Sequence, residues 1–187
     1  SNDSSATGRY LNQKLVIGNF RLGFLSMNTS TLLHPARVCE FADLKPGMSV
    51  GDFGCGAHGA LVHHAADVVG AAGRLYAVDV QPHVLRLVDR SHGMRLPAAP
   101  IHTIWSDIEQ YGATSIPHAS LDRIFLVDVV SYLDTLAAAL RECERLLAQD
   151  GAIAVVDWAN NDHPLAPAGL VAPETVARAV EEVHLQA

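Results

Sequence analysis

The chain has no Cys-x-x-Cys pair, no His-x-x-x-His or His-Glu-x-x-His, no internal repeat and no low-complexity block. Its cysteines, Cys39, Cys55 and Cys143, are three in number and far apart. That pattern builds neither a disulfide framework nor a thiolate metal site, and it fits reduced thiols in a cytoplasmic protein. Cys143 falls on a helical apolar stripe and reads as core. Cys55 lies between two turn glycines, where small size accounts for it. The ten histidines offer no metal set: His63 and His64 are adjacent, so on a helix they point about 100° apart.

Positive charge is scarce. Lysine and arginine total 13 against 20 acidic residues, for a net charge of −7. A nucleic-acid partner usually needs a basic face, so none is expected. No apolar run approaches the roughly 20 residues of a membrane-spanning helix, and no membrane association is expected. Ser1 to Gly8 has neither the basic start nor the apolar centre of a signal peptide, and reads as a disordered tail. A chain of 187 residues suggests one domain with a substantial core.

What is present is an alternation. Residues 1–30 read as a tail followed by an arm, helical or irregular, because Gly18 and Gly23 interrupt the apolar residues from Leu11 to Met27. Residues 31–187 read as the domain. A helix over His34 to Ala42 ends at the Lys45-Pro46-Gly47 turn. The first strand is Ser49 to Phe53 and the next helix about Ala60 to Val69. The second strand is Arg74 to Asp79, and a helix follows Pro82. The third strand is Ile101 to Trp105. The fourth is Leu121 to Val129, an almost wholly apolar run of the kind covered on both faces.

Leu133, Leu136, Leu140, Cys143 and Leu147 step by three and four, making one stripe of a helix whose end Gly151 caps or follows. The fifth strand is Ala152 to Trp158. A proline-containing loop, Asn160 to Ala172, leads to a last helix from Pro173. This order predicts an α/β fold, a doubly wound parallel sheet of order 3-2-1-4-5 with helices on both faces.

The stretch Gly51-Asp52-Phe53-Gly54-Cys55-Gly56 joins the first strand to its helix. Gly54 and Gly56 permit a tight turn with bare backbone near a ligand. The helix beyond offers free N–H groups and a positive dipole end. An acid then stands at the carboxyl end of each of four strands: Asp52, Asp79, Asp107 and Asp128. Asp favours turns and caps anyway, but four at successive strand ends beside a glycine turn form a ligand cradle. Asp79, about 20 residues beyond the last turn glycine, is placed to accept two ribose hydroxyls. Asp107 suits an adenine amino group, and Asp52 and Asp128 an amine or sulfonium.

These stretches, with Tyr76-Ala77-Val78-Asp79-Val80-Gln81, Ser106-Asp107-Ile108, Asp122 to Val130 and Leu146 to Trp158, resemble class I S-adenosylmethionine-dependent methyltransferases. The likeness is to the small-molecule type grouped with the ubiquinone/menaquinone C-methyltransferases. It runs from about Pro35 to Val183. The resemblance implies a Rossmann-like domain, S-adenosyl-L-methionine as cofactor, and donor contacts from Asp52, Gly54, Gly56, Asp79, Val80, Asp107, Ile108 and Asp128. It implies a small-molecule acceptor. His34, His58, Tyr132 and His163 are the candidate bases near the crevice, and none is assigned.

The pattern departs from the family twice. His58 stands where the third glycine is expected, with Gly59 after it. The usual C-terminal antiparallel strand pair is missing, which leaves the fifth strand as an open edge in a truncated or edge-paired, dimeric protein. The rival readings are an NAD-dependent oxidoreductase, which shares the strand-two acid, and a donor-binding protein without catalysis.

Overall fold

The computed structural model describes residues 14–17, 20–23, 34–57, 59–94, 99–158 and 169–183. The chain order is β1 (Lys14–Ile17), β2 (Phe20–Gly23), α1 (Pro35–Phe41), β3 (Ser49–Phe53), α2 (Ala60–Val69), β4 (Arg74–Asp79), α3 (Pro82–His92) and β5 (Ile101–Trp105). There follow β6 (Leu121–Val127), a 3-10 turn at Val130–Tyr132, α4 (Leu136–Leu146), β7 (Leu147–Val156) and α5 (Pro173–Glu182). Proline opens α1, α3 and α5, where its missing N–H costs nothing and its fixed φ suits the first turn.

Strand periodicity sorts the core. Along β6, Ile124 and Leu126 face one side and Phe125 the other, and all three are fully buried. The first side packs Phe53, Val78, Ile153 and Val155 against Leu140, Cys143 and Leu146 of α4 and Val176 and Val180 of α5. The second packs Val50, Leu75, Ala77 and Val156 against Val38 and Phe41 of α1, Val62, Ala65 and Val69 of α2, and Val88 of α3. A sheet covered on both faces needs apolar residues at successive positions, which is why β6 and β7 read as continuous runs.

The strands pair in the order β1-β2-β7-β6-β3-β4-β5. Pairing is parallel from β7 through β6, β3 and β4 to β5. This is the predicted 3-2-1-4-5 sheet. The topological switch lies between β3 and β6, so the carboxyl ends of both open onto one crevice.

Four expectations need correction. The arm is not helical or irregular at its centre: β1 and β2 form an antiparallel hairpin, with Leu15 opposite Leu22. β2 in turn pairs parallel with β7, Arg21 opposite Ala154 and Leu22 opposite Val155. The β7 edge is therefore occupied by the chain's own hairpin, and the reason for a dimer through that edge falls away. Nor does Gly151 cap a helix. α4 stops at Leu146 and β7 begins at once, with Gly151 inside the strand. A Cβ at Gly151 would stand 2.7 Å from the Leu121 carbonyl oxygen, so glycine is needed there for strand approach. Finally, β6 stops at Val127 because Asp128 turns into the left-handed region, φ 52°. The readings placed on Ser1 to Gly8, His58 and His163 lie outside the described residues.

Candidate functional site

The turn after β3 is built from left-handed glycines, with φ of 76° at Gly54, 66° at Gly56 and 53° at Gly59. The Gly54 and Cys55 N–H groups both donate to the Val78 carbonyl, at 2.8 and 3.3 Å, which ties the turn to the end of β4. The two leading glycines serve different ends. A Cβ on Gly54 would lie 2.6 Å from Val129 Cγ2, whereas one on Gly56 would meet nothing within 4 Å. Gly54 is thus bare for packing, and Gly56 faces open space. Gly59 is the N-cap of α2, and no side chain caps that helix.

Past this turn lies a cavity of about 410 Å³. It is lined by Gly54 and Gly56, by Asp79 and Val80 after β4, by Ser106, Asp107, Ile108 and Glu109 after β5, and by Asp128, Val129, Tyr132 and Leu133 after β6. A smaller cavity of about 290 Å³ adjoins it, sharing Gly54, Gly56 and Asp128 and adding Asp52, Cys55 and the start of α2. Seven of the eight residues singled out from the sequence therefore line the first cavity, and the eighth, Asp52, lines the second.

The acids are held differently. Asp79 accepts from the Gln81 N–H at 2.9 Å through Oδ1 and from the Gly56 N–H at 3.3 Å through Oδ2. It fixes the glycine turn while each oxygen keeps a lone pair for a further donor. Asp107 accepts from the Glu109 N–H at 2.9 Å and from Gln110 Nε2 at 3.1 Å. Asp52 is buried, and its Oδ2 has no hydrogen-bond partner among the described residues. Burial, aided by the nearby Asp79 charge, pushes its pKa from 3.8 up to about 7. Burial and then the Asp157 charge push Asp128 up to about 6. Asp157 itself accepts from Ser131 N–H at 3.2 Å and from Trp158 N–H at 2.8 Å.

Among the described residues no lysine or arginine lines either cavity, while Asp52, Asp79, Asp107, Glu109 and Asp128 do. Such a wall favours a cationic guest and opposes a pyrophosphate. Among the described residues, a buried acceptor without a donor, at Asp52, and a buried unpartnered hydroxyl, Ser106 Oγ, both belong to this region. They are open positions for a polar ligand.

Of the candidate bases, Tyr132 lines the first cavity and is 70% exposed. His34 is the exposed N-cap of α1 and lines neither cavity. His63 is buried, with Nε2 2.6 Å from Ser91 Oγ. Sequence reasoning did not single out Gln81, Glu109, Val129 or Leu133 as cavity residues, and reached Ser106 only as part of the Ser106-Asp107-Ile108 stretch. Ser106 and Gln81 had a signal, since each neighbours a chosen acid. Glu109 had none, because its partners lie at the start of α4.

Comparison with known proteins adds three findings. Residues 51–155 match a family described as a methyltransferase domain. A botryococcene C-methyltransferase from Botryococcus braunii is 28% identical over 146 residues, which is 74% of this chain and 35% of that protein. The chain thus spans about a third of that relative's length. Among solved structures, a SAM-dependent methyltransferase from Aquifex aeolicus aligns with a TM-score of 0.71 at 24% identity, covering 82% of this chain and 80% of the other. A coclaurine N-methyltransferase bound to N-methylheliamine and SAH aligns with a TM-score of 0.56 at 23% identity, covering 68% and 38%. At these identities the two structures speak for the fold.

Proposed function

The chain belongs to the methyltransferase domain family, and from that premise we propose that it moves a methyl group from S-adenosyl-L-methionine to a small-molecule acceptor by direct displacement. The observation that carries this reading is the wall of five acids, without a facing cation among the described residues, beside a glycine turn in which Gly56 faces open space. When bound, the donor supplies an already activated methyl on a positive sulfur. The protein's share is alignment, charge and exclusion of water.

Residue roles follow from position. Asp79 holds the ribose hydroxyls. Asp107 and Ser106 take the polar edge of adenine, between Val80 and Ile108. Gly54 and Gly56 admit the methionine part, and Asp52 and Asp128 favour its cationic groups. The uncapped start of α2 receives its carboxylate. The acceptor approaches past Tyr132, Val129 and Leu133. No general base is assigned, since displacement from a sulfonium needs one only for some nucleophiles. We assign residues 31–187 to the transfer domain and residues 1–30 to an arm that supplies the edge hairpin. Among the described residues no helix is long and apolar enough to cross a membrane, and the cysteine usage supports a cytoplasmic location.

Equilibrium titration tests the donor. S-adenosylmethionine binds more tightly than NAD; the reverse order identifies an oxidoreductase. Asp79→Asn loses a charge-assisted acceptor, for which about 1.5–3 kcal/mol is usual, so the donor Kd rises roughly tenfold or more. An unchanged Kd removes Asp79 from the ribose. Turnover is then measured with labelled methyl over quinols, phenols, amines and isoprenoid hydrocarbons, with carbon acceptors first because the 28%-identical relative is a C-methyltransferase. Donor binding without transfer across that panel identifies a binding protein instead.

A further inference from the structure

Two walls of the larger cavity come from different strand-to-helix connections. One is Ser106 to Glu109 after β5, the other Asp128 to Leu133 after β6. The sheet does not join them, since β4 and β3 lie between β5 and β6. Glu109 does. Its carboxylate accepts the Asp134 N–H at 3.2 Å through one oxygen and the Thr135 N–H through the other. Both donors sit at the start of α4, where N–H groups lack helical partners and where the N-cap, Thr135, makes no side-chain cap bond. An anion there also meets the positive end of the α4 dipole.

The tie continues on either side. The Glu109 N–H is held by Asp107 Oδ1, so the carboxylate in the cavity and the one on α4 belong to a single turn. Farther along the same loop, the Gly112 N–H donates to Glu142 Oε2 at 2.7 Å, and Arg145 Nε donates to that oxygen at 2.8 Å. The loop after β5 is therefore pinned at one end to the body of α4 and at the other to its first residues. Those residues directly follow Tyr132 and Leu133 on the opposite wall.

We propose that Glu109 is a positioning residue: it couples donor occupancy at Asp107 to the ordering of the Tyr132 to Ala138 segment that forms the acceptor side. This rests on the donor reading given above. A donor that stiffens the Asp107 turn stiffens Glu109, and through its two oxygens the start of α4. The acceptor wall is then ordered when the donor is in place.

Hydrogen–deuterium exchange with S-adenosylhomocysteine as the probe tests this in the whole chain. In the wild type the probe slows exchange at Asp79–Gln81 and also, about tenfold, across Tyr132–Ala138, within the usual range of coupling between sites. In Glu109→Ala the slowing at Asp79–Gln81 remains and the slowing at Tyr132–Ala138 is lost. Glu109→Gln, with one acceptor oxygen, falls between. The double variant E109A/T135D separates coupling from capping: the new aspartate caps α4 and recovers melting temperature, yet the probe still fails to protect Tyr132–Ala138. The inference is overturned if E109A keeps the wild-type protection there, or if T135D restores it. A wild type with no slowing at Asp79–Gln81 overturns the donor reading itself, and this inference with it.

Discussion

Asp52 carries the clearest residue-scale consequence. Its folded pKa of about 7 lies above the ordinary 3.8, so the folded protein holds the proton more tightly than the unfolded chain. Stability is then highest below pH 4 with respect to this group, and falls as pH rises toward 7, by about 4 kcal/mol at most at 1.4 per unit. Asp128, raised to about 6, acts in the same sense. Thermal melts of the ligand-free protein should show a loss of stability from pH 5 to pH 8, and Asp52→Asn should flatten it. A wild type that melts higher at pH 8 than at pH 5 refutes this. The donor acts oppositely, because its cationic groups favour the ionised acids. Its affinity rises between pH 5.5 and 7.5, and less so in Asp52→Asn.

The two turn glycines differ in a way the same scale can test. Gly54→Ala places a methyl 2.6 Å from Val129 and also strains a positive φ, so it costs about 3 kcal/mol of stability. Gly56→Ala meets no neighbouring atom, so its stability cost is the strain alone, about 1–2 kcal/mol. Donor binding nonetheless falls for Gly56→Ala, since the methyl projects where the ligand lies. Equal donor affinity in Gly56→Ala and wild type, by titration, would contradict that placement. The glycines and the four acids were legible in the sequence because strand ends recur at readable intervals. Glu109 was not, since its role depends on donors 25 and 26 residues away that only the fold brings near.

At the scale of elements, the strands from β3 to β5 were easier to read than those on the hairpin side of the sheet. β3, β4 and β5 were bounded to the residue from apolar runs and turn signals. The hairpin of β1 and β2 was not, because two glycines interrupt its pattern and its partner strand lies more than a hundred residues later. α4 begins at Leu136 and not Leu133, because Leu133 is extended and serves the cavity wall. The hairpin has a testable purpose. Removing residues 1–24 uncovers the β7 backbone, and the shortened protein should self-associate with rising concentration by light scattering. A shortened protein that stays monomeric at high concentration shows that the hairpin does not guard this edge.

For the whole molecule, the doubly wound sheet follows from alternating apolar strands and amphipathic helices, and that much was set by pattern. The crevice opens at the switch point between β3 and β6. An adenosyl sulfonium in that crevice, among the acids, is what every role above depends on. Its most direct test is a crystal structure with S-adenosylhomocysteine. The expected density places adenine between Val80 and Ile108 with Asp107 at its amino edge, ribose hydroxyls on Asp79, and the methionine part over Gly54 and Gly56. Crystals that hold the ligand away from these residues, or that remain without it at saturating concentration, refute the assignment.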